Sequence, residues 1–525
     1  MTALAQHRHR GGLRDAVRAE WTKFRTVRGW LVGLVLAALA LVLFSYLQAH
    51  GKHTGYCTSP NPNSCVAGHP YVPNGPGGEA VADAYELEAR QLTKDGTITA
   101  RISSLTGRIW AGPSNQAPSL AHTRAGLAGW SKAGLMVTAS TRQGAPYAAV
   151  MATGGHGVRF QDDFTHDRPG LPGSVSPGAA RWLRLTRSGD TITGYDSTNG
   201  TSWHRIGSAR LAGLGRTVSV GLFTTSPNTF AGQATQATAA FDHVAVGSAG
   251  DGGAATVSGP WRATSIGTGH RDFYTALGRG GVRRTGASIR VTGSGDIAPA
   301  VADAGPDTVS DPLLFGLVVA LIALIVVGAM FATSEYRRGL IRTTLAATPR
   351  RGRVLAAKAG VIGGAGFAVG AVASAVAIPL GLHVMRAGGN YVYPAGPLMI
   401  ARVIAGSGAL VALSAVAVLG IATILRRSPG AILAGVVLFV LPAFTGPGVL
   451  GPTSGGSAAT WLYTVTPAAG FSVIGLMPRS PLVSYPYTMS NGYYPLPAWA
   501  GLLVLCAWAA AALVAARIVL RRRDA

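Results

Sequence analysis

Glu86 and Glu88 stand two apart in an alternating segment, Ala84-Tyr-Glu-Leu-Glu88. On a strand they share a face about 7 Å apart, a spacing compatible with a general acid beside a nucleophile or base. An exposed polar strand face explains the same pair equally well. The run Asp162-Asp-Phe-Thr-His-Asp167 gathers carboxylates and an imidazole, groups able to hold a divalent cation, although a solvated loop accounts for it more simply. No Gly-x4-Gly-Lys-Ser/Thr phosphate loop, His-Glu-x-x-His or Gly-x-Ser-x-Gly occurs in the chain. Of the three cysteines, Cys57 and Cys65 are separated by seven residues in a Pro/Asn-rich stretch, which favours a small disulfide loop in an oxidising exterior. Cys506 falls in an apolar run and reads as a packing residue.

The elements that carry these residues follow from composition. The 525 residues are 48% hydrophobic and only 13% charged, yet 45 Lys and Arg face 21 Asp and Glu, a net charge of +24. Mean hydropathy is +0.30. So apolar a chain is not disordered, and its basic residues are scattered between apolar runs rather than gathered in the dense patch that nucleic-acid binding needs. A multi-span membrane protein with basic loops on one side fits both facts.

Six segments approach the roughly 20 apolar residues that a bilayer-spanning helix requires. They are Trp30–Leu47, Pro312–Thr333, Ala359–His383, Val403–Leu425, Pro429–Leu450 and Ala498–Ala516, none holding a Lys, Arg, Asp or Glu. The fifth is the least regular, because Pro442 and Pro447 interrupt its outer end. Four regions beside these spans hold 20 basic residues: the leader, the 337–358 loop, Arg426 with Arg427, and the C-terminal tail from Arg517. The opposite side has only Arg386, Arg402 and Arg479. The bias predicts six spans in the cell membrane, both termini cytoplasmic and residues 48–311 extracytoplasmic.

The chain divides accordingly into a basic leader (1–29), a first span (30–47), a large exterior block (50–247), a linker with a smaller β portion (248–311) and a five-span domain (312–525). In the exterior block, short alternating segments recur between Gly, Asp, Asn and Pro clusters, among them 96–102, 133–139, 181–186, 191–195 and 217–223. They predict an all-β sandwich, with Arg187-Ser-Gly-Asp190 as a hairpin turn. Segments 287–291 and 297–301 form the expected smaller portion. The fold class is thus an α-helical polytopic membrane domain with an inserted extracytoplasmic β-sandwich.

The leader places Leu13, Val17, Trp21, Phe24 and Arg28 on one helical face, a basic amphipathic helix lying on membrane lipid. Its motif is Glu20-Trp-Thr-Lys-Phe-Arg25. The loop after the second span reads Glu335-Tyr-Arg-Arg-Gly-Leu-Ile-Arg-Thr-Thr-Leu-Ala-Ala-Thr-Pro-Arg-Arg351. Together the motifs and the six-span frame resemble the permease subunits of ABC-2 type ATP-binding-cassette exporters, particularly the high-GC Gram-positive form. The resemblance covers residues 1–47 and 312–525, or 261 of 525.

It implies that Glu335–Arg353 forms a coupling helix docked on a separate ATPase subunit. ATP would be held by that partner, with no cofactor, metal or catalytic site in this chain. Glu335, Tyr336, Arg337, Arg338, Leu340, Arg342, Pro349, Arg350 and Arg351 would form the coupling surface. Glu20, Trp21, Lys23, Phe24 and Arg25 would form the interface helix, and a second permease copy would complete the assembly. Physically, Arg337, Arg338 and Arg342 suit acidic groups on a partner, Leu340 supplies an apolar anchor, and Glu335 is placed to bond a leader Lys or Arg. Enforcement of positive-inside topology is the plainer role for the arginines.

The exterior block resembles concanavalin-like jelly rolls in Trp130-Ser-Lys-Ala-Gly-Leu-Met136, Trp182-Leu-Arg-Leu-Thr-Arg187 and Tyr195-Asp-Ser-Thr-Asn-Gly-Thr-Ser-Trp203. Glycosidases of that fold carry Glu-x-Asp-x-x-Glu on one strand. Glu79…Asp83…Glu86 departs from that spacing, so binding of an exterior glycan or polymer through Trp and Tyr is the better expectation than hydrolysis. The leading expectation is a transport subunit, not an enzyme. The alternative is a membrane-anchored surface sensor or glycan-binding protein.

Overall fold

The computed structural model describes residues 12–51, 55–57, 65–67, 73–112, 118–176, 178–229, 233–247, 257–267, 277, 280–299, 313–337, 351–388, 392, 395–444, 461, 463–476 and 494–522. The chain forms two compact units, dividing near residues 53 and 309.

The first unit is helical. α1 (Leu13–Thr26) opens with the Gly12 N–H donating to the Asp15 carboxylate at 2.8 Å, which satisfies one of the helix's free amides. One extended residue, Val27, separates it from α2 (Arg28–His50). Then follow α3 (Leu314–Arg337), α4 (Arg351–Ala387) and α5 (Pro397–Leu425). α5 has proline in its first turn, where the missing N–H costs nothing, and ends at Arg426 in the left-handed region, φ 57°. Next come α6 (Ser428–Gly435), a π turn (Val436–Val440), α7 (Leu441–Phe444), a 3₁₀ helix (Pro467–Ile474) and α8 (Ala498–Arg522).

Among the described residues five helices, α2, α3, α4, α5 and α8, are long and apolar enough to cross a membrane. The expected fifth span at Pro429–Leu450 is instead a broken helix that reaches Phe444 through the π turn. Pro442 has no N–H for the Leu438 carbonyl, and the ladder loosens just before it, with Leu441 N–H bonding back to Val436. Residues 445–450 lie outside the described residues. α4 also begins at Arg351 rather than Ala359, which makes Lys358 helical.

Small residues allow α4 to lie close against α5. A Cβ on Gly370 would lie 2.8 Å from the Ser407 carbonyl of α5, and one on Gly366 3.3 Å from Ala412 Cα. Gly360 and Gly364 meet nothing. Of these four glycines, Gly366 and Gly370 serve the α4–α5 contact.

The second unit is a β-sandwich. One sheet runs in the order His166–Pro169, Val158–Asp162, Tyr147–Thr153, Lys132–Thr138, Val218–Thr225, Tyr85–Leu92, Val257–Ile266. The other runs His204–Arg210, Thr191–Ser197, Arg181–Ser188, Gly96–Trp110, Thr235–Gly247, Ser288–Gly293, Gly281–Thr285, with Thr123–Ala125 also paired to the long central strand. Between them lies a core that includes Leu135, Val150, Phe160, Leu183, Ile192 and Phe241, all fully buried.

The turn at Gly189 and Asp190 joins Ser188 to Thr191, and Gly189 takes φ +59°, the conformation a two-residue hairpin asks of its first glycine. A two-stranded ribbon, Val81–Asp83 with Ile297–Pro299, accompanies a second apolar cluster containing Val81, Tyr85, Met136, Tyr147, Phe223 and Ile297. The three central strands of the first sheet are therefore buried on both faces, and their sequences are nearly continuous apolar runs.

Of the portion expected as a second, smaller β element, Ile297–Pro299 lies in the two-stranded ribbon, whereas the strand at 288–293 joins a large sheet. Val257–Ile266 pairs with Tyr85–Leu92 and Ser288–Gly293 with Thr235–Gly247, so these strands complete both sheets. A local alternation does not reveal which distant strand will supply its hydrogen-bond partners.

Candidate functional site

Where α1 meets α3 and α4, four charged side chains close into a ring. Lys23 Nζ lies 2.8 Å from Glu20 Oε1 and 3.1 Å from Glu335 Oε1. Lys358 Nζ lies 2.8 Å from Glu20 Oε2 and 2.9 Å from Glu335 Oε1. Each cation thus touches both carboxylates, and the group is neutral as a whole. Glu20, Glu335 and Lys358 are buried, whereas Lys23 is partly open.

Burial by itself pulls the Lys23 ammonium down. The hydrogen bond and charge of Glu20, followed by those of Glu335, outweigh it and hold the group above its ordinary value. An aromatic floor supports the ring: Lys358 Nζ sits 4.7 Å over Phe331. Phe24 stacks on Trp30 at 5.6 Å and meets Phe331 edge-on at 5.3 Å. Among the described residues the buried Glu335 Oε2 has no hydrogen-bond partner, and Glu335 lines a cavity of about 20 Å³ with Tyr336, Leu355 and Thr423, room for one water.

The link from Glu335 to the leader is the one expected, with Lys23 as its partner. The expectation missed that Glu20 and Lys358 share it. The i,i+3 pairing of Glu20 with Lys23 and a lysine at the mouth of an apolar helix were the available signals. Of the leader stripe, Phe24 is buried, while Leu13, Val17 and Trp21 remain exposed; Arg25 is also exposed. Tyr336 lies under the Arg426 guanidinium at 5.3 Å. Arg351 donates to the Leu520 carbonyl near the end of α8. The Arg337 backbone ends α3, and Arg338, Leu340, Arg342, Pro349 and Arg350 lie outside the described residues. These contacts bring the leader, both flanks of the 338–350 segment, the Arg426 turn and the end of α8 together at one end of the helical unit.

In the β unit the carboxylates are already engaged. Glu86 and Glu88 share a strand face, but that face is buried: Ser265 Oγ donates to Glu86, and Arg284 pairs with Glu88. Burial raises the Glu86 carboxyl above its usual range. Asp83 is buried too, accepts the Gly144 N–H at 2.7 Å, and is pushed by desolvation up to about 7. In the Asp162–Asp167 run, Asp162 pairs with Arg168 at 3.0 Å and His166 at 3.2 Å. Asp163 accepts the Tyr147 N–H at 3.1 Å, and Asp167 pairs with Arg159.

Trp130 is buried with His156 stacked on it at 3.9 Å, so it offers no open ring. Trp182, Tyr195 and Trp203 are half-exposed, and Arg184 stacks on Trp203 at 3.8 Å. Strands Gly55–Cys57 and Cys65–Ala67 are antiparallel, with Cys57 directly opposite Cys65 in the register.

No protein-family model matches this chain, and no curated protein matches it. Among solved structures it is similar, at 14% identity and a TM-score of 0.18, to a functionally unknown protein from Saccharomyces cerevisiae, over 31% of this chain and 73% of that one. It is also similar to a mutant of the GH43 protein BlXynB from Bacillus licheniformis, at 16% identity and a TM-score of 0.16, over 24% of each chain. Both likenesses are too slight to carry a fold or an activity.

Proposed function

We propose that this chain is the membrane-spanning permease subunit of an ATP-driven ABC-2 type exporter, worked by a separate ATPase that grips the loop from Glu335 to Arg353. The supporting observation is the charge ring. It joins the leader helix to α3 and α4, the two helices that flank this loop, so a force applied there reaches three helices at once. In this reading there are six spans, both termini are cytoplasmic, residues 48–311 are exterior, and a second permease copy completes the assembly. The meeting of the basic regions at one end of the helical unit supports that orientation.

Gentle solubilisation of the tagged full chain, with identification of what co-purifies and an ATP hydrolysis assay, tests the reading. A stoichiometric ATPase that is lost when Arg337, Arg338 and Arg342 are replaced by Glu is the expected result. An intact, membrane-inserted chain with no ATPase would overturn it. That outcome would favour the second reading, a surface sensor or glycan-binding protein, which the half-exposed Trp182 and Trp203 with their neighbouring Arg184 support.

A further inference from the structure

The helical unit holds a cavity of about 620 Å³ whose described lining includes four arginines and no carboxylate. Arg351 and Arg353 come from the first turn of α4, and Arg517 and Arg521 from the last turns of α8. Leu13 and Ala356 complete an apolar side. That space is ample for a hydrated phosphate ester. The Arg517 guanidinium reaches over the α4 backbone, with Nε 3.4 Å from where a Cβ on Gly352 would stand. Arg517 thus lies against α4, beside the same space that Arg521 lines one turn further along α8.

We infer that this cavity binds the phosphodiester headgroup of an anionic phospholipid. Guanidinium groups match phosphate oxygens in charge and in fork geometry. The apolar surroundings select a lipid over an acidic peptide. Leu13 on one side is 50% exposed, and on α8 the exposed Ile518 and Val514 descend from the arginines along the helix. A headgroup held by Arg517 and Arg521 has a ready-made apolar track for its acyl chains, which a peptide would leave uncovered. Basic pockets between membrane helices are places where such headgroups bind. The inference rests on the membrane-spanning reading of the helical unit.

The test uses the full chain, purified in detergent and delipidated, titrated with dioctanoylphosphatidylglycerol or dioctanoylphosphatidylcholine, with bound lipid counted by native mass spectrometry. Wild-type chain is expected to prefer phosphatidylglycerol. The double variant Arg517→Gln with Arg521→Gln is expected to weaken that lipid about 30-fold, the loss of two basic contacts, and to leave phosphatidylcholine unchanged. Arg386→Gln with Arg427→Gln, the same change of charge away from the cavity, is expected to retain binding.

Equal binding of the two lipids, or an equal loss in both double variants, would overturn the inference. Displacement of phosphatidylglycerol by equimolar inorganic phosphate would assign the cavity to free phosphate and overturn the lipid. Should the double variant lose its monodisperse elution, Arg521→Gln alone, an exposed change at a helix end, carries the same test with a loss of about 5-fold. Release of wild-type chain from its membranes by alkaline carbonate would instead overturn the membrane reading, and is scored separately from lipid binding.

Discussion

Glu20 of α1 and Lys358 of α4 form a 2.8 Å ion pair across 338 residues of sequence. Both side chains are buried, and each also contacts a second charge, Lys23 or Glu335. The leader is thereby fastened to two long helices rather than only lying beside them. Its Leu13, Val17 and Trp21 remain exposed.

Removing one cation of this ring leaves two buried carboxylates sharing the other, an unbalanced buried charge whose cost approaches the roughly 3–5 kcal/mol of a broken buried pair. Lys358→Met in the full chain is therefore expected to lower the melting temperature in detergent clearly. Exchanging the pair, Glu20→Lys with Lys358→Glu, should recover part of the loss. A double variant that melts no higher than the sum of the two single changes predicts would dismiss the ring as a stabilising unit.

Asp83 makes the β unit sensitive to pH. Its folded pKa of about 7 lies above the ordinary carboxylate value near 3.9. The folded state therefore holds the proton more tightly than the unfolded one. The stabilisation is complete below the ordinary value and fades as pH rises through the folded one, by an amount on the order of 4 kcal/mol. Hydrogen exchange of Val81–Asp83 and Ile297–Pro299 in the full chain, corrected for intrinsic rates, should show protection falling between pH 5 and 7. Asp83→Asn should flatten that profile, and an unchanged slope in the variant would assign the dependence to another group.

Glu88 depends on Arg284 for compensation. Arg284 is half exposed and Glu88 is buried, so Arg284→Met should destabilise the unit by about 2 kcal/mol, the cost of leaving a buried acceptor unpaired. Glu88→Gln should do less harm, because a neutral amide is cheaper to bury than a lone carboxylate. Chemical denaturation followed by tryptophan fluorescence ranks the two variants, and the reverse ranking would exclude this account.

Directly opposed residues of an antiparallel pair stand about 4.5–5.5 Å apart at Cα, within the range a disulfide spans. Cys57 and Cys65 are so opposed, whereas Cys506 is exposed on α8. Alkylation of the unfolded chain without reductant should label Cys506 alone, and all three cysteines after reduction. Labelling of all three from the outset would show that the pair is not bridged in the isolated protein.

Much of the architecture is legible in one dimension because its signals are local. Apolar runs long enough to cross a bilayer mark α2, α3, α4, α5 and α8. Alternation marks strands such as Arg181–Ser188 and Thr191–Ser197, and Gly189 marks the turn between them. The pairing of Glu335 with a leader cation was also within reach, since opposite charges flanking neighbouring apolar runs have few other places to go.

Tertiary structure decided the rest, because it depends on partners far apart in the chain. Alternation alone places Glu86 and Glu88 on one face, but only the strand neighbours determine that this face is buried against Ser265 and Arg284. Segment 287–291 reads as part of a separate small element until the hydrogen bonds of Ser288–Gly293 are assigned to a large sheet, and Val257–Ile266 gives no strand signal of its own. The arginines at 351, 353, 517 and 521 read as two unrelated basic ends. They share a cavity because the start of α4 packs beside the end of α8, a proximity that only three-dimensional packing creates.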